Sequence, residues 1–195
     1  MDVSAIPPLT AEQTAKLAEF GASLHQSAIE ALGTTLDKKL EVTSITVSPL
    51  APEAVPAEFV GLFLTAQVEL RLSSGSTAGA LVFLGEDEAS MLFNVSPADA
   101  ANEEDYTAKL EEAVHTSLSD LSDFLTLSVS VNSGAQMQFG IGEVHLLNLA
   151  QNPLELPPNR ASGDVLLARL ELVAEDTPPM VVSYLMSTND LPAVL

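Results

Sequence analysis

The tetrapeptide Thr-Ala-Lys-Leu stands at Thr14–Leu17 and again at Thr107–Leu110, each time with a glutamate two positions further on, Glu19 and Glu112. Each copy sits in a stretch of helical periodicity, and the elements that follow come in the same order. The chain is thereby constrained to two similar halves, about 9–95 and about 102–195, within one domain spanning 1–195. A unit of one helix followed by three short-linked strands favours antiparallel pairing. Two such units give an α+β fold of two layers, with two long helices packed on one mixed or antiparallel sheet.

The periodicity supports each element in turn. From Thr10 to about Leu36, apolar residues fall at Leu17, Phe20, Leu24, Ala28 and Leu32, a spacing that lays one stripe along a helix. Pro7 and Pro8 precede it, and Thr10 suits the N-cap. Residues 40–48 are rich in β-branched side chains and predict a strand closed by Pro49, with a loop holding Pro49, Pro52 and Pro56. Residues 64–73 alternate strictly, with Leu64, Ala66, Val68, Leu70 and Leu72 on one face and Thr65, Gln67, Glu69, Arg71 and Ser73 on the other. Ser74 and Gly75 then turn the chain into a second strand over 77–84, a hairpin with one wet face. A short helix over 86–93 ends the first half. The second half predicts a helix over 102–127 with a stripe of Leu110, Val114, Ser117, Leu121 and Phe124. Strands follow at about 136–148, 163–174 and 179–187, with a proline-rich loop after the first of them.

Composition removes whole classes of function. Seven Lys and Arg stand against 27 Asp and Glu, a formal charge of −20, which repels phosphate backbones and anionic lipid. Nucleic acid and membrane surfaces are therefore excluded as partners, while the same charge serves solubility or attracts a basic protein. No cysteine is present, so disulfides, thiolate metal sites and cysteine nucleophiles drop out together, which suits a reducing cytoplasm. No basic, apolar leader opens the sequence and no run approaches the ~18 apolar residues of a membrane span.

Chemistry has few places left. At roughly 100° per residue, Glu19 and Ala22 lie outside the apolar arc of the first helix, and Glu112 and His115 lie outside that of the second. Both helices therefore turn an equivalent pair outward. Each pair also reads as part of an ordinary solvated face. His25 and His145 lack a second histidine at ligand spacing, so neither a metal site nor a cofactor is expected. The glycines of residues 73–79 lie in a hairpin rather than between strand and helix, which rules out a phosphate loop, and there is no nucleophile elbow.

Residues 9–50 resemble the opening of the CheC and FliY type proteins, phosphatases of chemotaxis response regulators. In that family a Glu-x-x-Asn motif on a long helix leads to a small-residue stretch ending in Ala-Leu, then a lysine and a strand. The matching positions here are Glu19, Phe20, Gly21 and Ala22, then Ala31, Leu32, Lys39, Leu40, Glu41 and Val42. Glu112, Ala113, Val114 and His115 stand where the second Glu-x-x-Asn would be, and residues 81–93 resemble the family's strand-to-helix step.

The resemblance implies hydrolysis of an aspartyl phosphate on a partner protein. The glutamate contacts a lysine of the response regulator, the asparagine amide orients the attacking water, and the magnesium belongs to the partner. Such a division suits phosphoryl transfer, which rests on positioning and charge. Ala22 carries a methyl group where that amide is required, so the first motif is degenerate and is read only as a binding surface of Glu19, Ala22, Ser23 and Gln26. The loss of one well-placed donor costs on the order of 10²- to 10³-fold in rate. His115 keeps hydrogen-bonding capacity, so Glu112 and His115 are the catalytic candidates. The resulting expectation is a non-catalytic or weakly catalytic interaction module in chemotaxis, motility or two-component signalling, like the FliM middle domain. The chain ends without a FliN-like domain, which favours a free-standing adaptor, as monomer or homodimer. Two alternatives stay open: an active phosphatase using Glu112 and His115, and an unrelated acidic α/β binding module.

Overall fold

The computed structural model describes residues 28–72, 75, 77–133, 137–151, 165–175 and 177–187. The first half comprises a helix over 28–36 (α1), β1 (Leu40–Leu50), the single turn α2 (Val55–Glu58), the hairpin β2 (Leu62–Leu72) and β3 (Thr77–Gly85), and α3 (Glu86–Phe93). The second comprises α4 (Glu103–Ser133), β4 (Met137–Asn148), β5 (Val165–Ala174) and β6 (Met180–Ser187). The part of the first helix predicted over 10–27 lies outside the described residues.

All five neighbouring strand pairs are antiparallel, which settles the mixed-or-antiparallel alternative, and the order across the sheet is β1-β5-β6-β3-β2-β4. Exchanging the halves, β1 with β4, β2 with β5 and β3 with β6, returns the same order read from the other edge. Each half keeps its second and third strands together as a hairpin and sends its first strand across to flank the other half's hairpin. The repeat is thus an interlocked pair rather than two units in tandem.

Two cores fill the two faces of this sheet. The main core lies under the helices, where Ile29 of α1, Ala89 and Leu92 of α3 and Tyr106, Leu110 and Val114 of α4 meet Leu64, Ala66, Leu84, Leu170, Leu172, Met180 and Val182. A smaller core on the opposite face joins Val55, Phe59, Phe83, Leu149, Val165, Leu167 and Leu185. This second core corrects three sequence expectations. The stretch with Pro52 and Pro56 is not simply a loop, because a 3-10 turn at Pro52–Ala54 and α2 drop Val55 and Phe59 onto the sheet. The outward face of the hairpin is wet only toward its turn, because Thr65 is buried while Gln67 and Arg71 are exposed. β1 also continues through Pro49 to Leu50; at a sheet edge a missing N–H need not break a ladder bond.

α4 runs further than the sequence predicts, to Ser133, and its buried face drifts along its length. Leu110, Val114 and Ser117 face inward, but about two turns before the end Leu125 is buried while Phe124 is 47% exposed. A stripe extended at strict three-and-four spacing cannot show such a drift, because it assumes one contact face along the whole helix, whereas Ser122 and Leu125 are buried here in place of Phe124.

Both tyrosines of the chain stand at the main core. Burial raises the phenol of Tyr106 and pushes that of Tyr184 up to about 12. The folded state thus holds the neutral phenols more tightly than the unfolded chain does. Their contribution is complete below the ordinary value of 10.0 and is lost as pH rises toward the folded values. An ultraviolet titration of the native protein at pH 10 is therefore expected to show little phenolate, with ionisation arriving together with loss of the fold at higher pH.

Candidate functional site

α4 carries both residues of the second Glu-x-x motif, and its N-terminus is fixed by an N-cap at Asn102 with a return bond from Asp105 to the residue before it. The Asn102 Oδ1 accepts from the Asp105 N–H at 2.8 Å, and the Asp105 Oδ2 accepts from the Ala101 N–H at 2.8 Å. The Lys109 ammonium donates to the same Asp105 oxygen at 2.8 Å and to the Asp99 carbonyl at 2.9 Å. These bonds hold the Asp105 carboxyl below its ordinary value, the Lys109 bond first. Glu103, Glu104 and Asp105 complement the positive end of the helix dipole.

Beyond the cap, polar side chains of α4 dock on the backbone of β4, which is an edge strand. The Glu111 Oε1 accepts the Leu146 N–H at 2.7 Å, the Thr126 hydroxyl accepts the Phe139 N–H at 3.0 Å, and the Ser122 hydroxyl donates to the Phe139 carbonyl at 3.0 Å. The helix thereby covers the strand edge and is locked in rotation about its own axis. With Glu111 turned to β4 and Leu110 and Val114 turned into the core, Glu112 and His115 are left exposed on the outer surface. At this spacing they are neighbours one turn apart. Neither makes a hydrogen bond or ion pair among the described residues. Among the described residues nothing covers the pair. An open hollow of ≈ 620 Å³ runs beside it along the first two turns of α4, walled by Asn102, Glu103, Glu104, Thr107, Ala108 and Glu111.

Glu19, Ala22, Ser23 and Gln26 lie outside the described residues, so the structure brings together only the second pair. Among the described residues no group of three metal-ligating side chains occurs, and His145 lies beside Glu143 at 3.1 Å on exposed β4. Sequence reasoning missed the Glu111–Leu146 contact, and with it the reason why Glu112 rather than its neighbour faces out. Two adjacent glutamates give no signal of which one docks. It also missed Lys38. That ammonium donates to the carbonyls of Met91 and Leu92 at 2.7 and 2.8 Å and to the Asn94 Oδ1 at 2.9 Å, closing the C-terminus of α3, while burial lowers its pKa.

No protein-family model and no curated sequence matches the chain. Solved structures do. FliY from Thermotoga maritima is similar over 95% of this chain and 95% of its own, with a TM-score of 0.68 at 17% identity. The FliM middle domain from Vibrio alginolyticus covers 88% of this chain and 95% of its own at 0.55 and 10%. FliM in a FliG–FliM complex from H. pylori covers 95% of this chain and all of its own at 0.59 and 10%. The fold carried by this sequence is the one shared by FliY and the FliM middle domain, the group its helix motifs resemble.

Proposed function

We propose that this chain is a protein-docking module of a chemotaxis or flagellar switch system, acting in the cytoplasm as a single domain over its whole length. The observation that carries the proposal is the fold likeness to FliY over 95% of both chains, combined with an outward Glu112–His115 pair on a helix locked in rotation. Ala22 stands where the resemblance requires an asparagine, so the first motif contributes docking surface rather than water activation. The partner is a phosphorylated response regulator or a switch component; FliM of H. pylori has been crystallised with FliG, which supports the second class. A carboxylate surface with a formal charge of −20 behind it steers a partner that presents lysines.

The exposure of His115 favours one further reading, a phosphatase in which its imidazole takes the place of the asparagine amide. The two readings separate on the lifetime of the phosphoryl group of a response regulator, measured with and without the protein. The docking module predicts complex formation with an unchanged lifetime, and weaker complex formation for Glu112→Ala. Faster loss of phosphate that disappears in both Glu112→Ala and His115→Ala establishes the phosphatase. Absence of binding to any such partner removes both and leaves the acidic binding module of unrelated function.

A further inference from the structure

On the face of the sheet that carries α2, β3 turns into α3 beside a hollow of ≈ 500 Å³. Deep in it lies Ser183, which the strand register sets between Arg169 of β5 and Phe83 of β3. Ser183 is 6% exposed, and its hydroxyl makes no hydrogen bond among the described residues. No fully enclosed side-chain nitrogen or oxygen among them lacks a partner, so this hydroxyl opens onto the hollow. A hydroxyl that a fold buries and leaves unbonded is an exception in native proteins, and a polar group entering the hollow completes it.

The walls are apolar. Val60, Leu62 and Val181 are 68%, 43% and 39% exposed around the hollow, and the Phe63 ring, edge to face with Phe59, backs them. Apolar side chains gathered about a concavity with one buried polar group have the composition of a binding site rather than of scattered surface. The rim is acidic. Arg169, the one cation of the lining, is paired with Glu58, which leaves Glu86, Asp87 and Glu88 with no cation opposite them among the described residues. A Cβ at Gly85 would collide with the Glu88 carboxylate, so glycine there lets that carboxylate fold back toward the hollow. This arrangement repels anions, and a wholly apolar group leaves the hydroxyl unmet.

We propose that the hollow receives a lysine side chain, flanked by apolar residues, from a protein partner. The methylene stem packs against Leu62, Phe63 and Val181, and the ammonium donates to the Ser183 hydroxyl and to the Glu58 carboxylate. The carboxylates of the rim steer the cation in and balance it once there. Apolar neighbours of the lysine cover Val60. The hollow lies on the sheet face opposite α4, so this docking does not depend on the role of Glu112 and His115.

The probe is an acetylated, amidated peptide with leucine on either side of one lysine, titrated into the full chain and followed by nuclear magnetic resonance. Saturable binding at roughly 0.1–1 mM is expected, with shifts centred on the methyl groups of Val60, Leu62 and Val181. Glutamine in place of the lysine should weaken it about tenfold. The double variant Val60→Ser, Val181→Ser should do the same at an unchanged net charge, and its melting temperature should hold because both side chains are exposed. Ser183→Ala, which removes only the deep acceptor, should weaken it about threefold to tenfold. Binding that is equal in both variants is attraction by the overall charge and overturns the proposal. So does the absence of saturable binding up to about 10 mM, the outcome if the chain's own residues fill the hollow. Shifts of the same methyl groups with protein concentration alone assign the hollow to a second copy and overturn it as well.

Discussion

Phe83→Ala is expected to lower the stability of the protein by about 3–5 kcal/mol, the cost of deleting a fully buried aromatic ring. Phe83 has no exposed surface and stacks on Phe59, with ring centroids 4.1 Å apart and planes at 23°; Phe59 in turn meets Phe63 edge to face at 5.7 Å. These rings form the centre of the smaller core. Among the described residues seven buried side chains fill it, against fifteen in the main core, so few described neighbours stand ready to collapse into the space. The ring is also what α2 rests on, and its removal should loosen the segment over 52–59 before the rest of the sheet. Urea denaturation measures the total, and faster hydrogen exchange confined at first to that segment would locate it. Phe124→Ser provides the comparison, since an exposed ring on α4 should be replaceable within about 0.5 kcal/mol. Similar losses for both would mean that the sheet is not packed on both faces.

Lys38→Met is the second large effect, with an expected loss of about 1–2 kcal/mol. Hydrogen bonds from a charged donor contribute more than neutral ones, and this side chain makes three of them to the end of α3, but its partial exposure reduces their worth. Methionine keeps the length of the stem and removes only the ammonium. The carbonyls of Met91 and Leu92 then lose their cap, while Asn94, in the left-handed conformation, still closes the backbone through its N–H to Ser90. Thermal unfolding checks the magnitude, at roughly 2–4 °C per kcal/mol for a chain of this size. Arginine at the same position should recover part of the loss through its remaining donors, whereas an unchanged melting temperature for Lys38→Met would show that water serves these carbonyls equally well.

Much of the layer architecture was legible because it rests on local periodicity. The alternation around Leu64–Leu70 and the stripe at Leu110 and Val114 report which side meets the core, and both survive in the structure. The recurrence of the helix motif announced two halves. The interlocking of the halves was not legible, because which hairpin β1 joins is decided by pairing between Leu40 and Ala174, far apart in the chain, and no local pattern encodes it. Val55 and Phe59 were hidden among prolines that read as loop. At the candidate site the outward direction of Glu112 and His115 followed from helix geometry alone. The bond that fixes it, from Leu146 to Glu111, required knowing that β4 is an edge.

The exchange of first strands also sets a timetable. β1 emerges early in synthesis, but β5, its strand partner among the described residues, is translated more than a hundred residues later. At about 5–20 residues per second the strand waits on the order of 6–25 s with both edges open. During that interval the neutral, β-branched Ser44–Ser48 stretch is the part of the nascent chain most able to pair wrongly. The acidic residues around it then act before folding is complete, since strongly negative nascent chains repel one another. A chain cut between the halves would leave β1 and β4 each without the hairpin it needs, so the two halves are expected to fold when mixed and to aggregate when expressed apart.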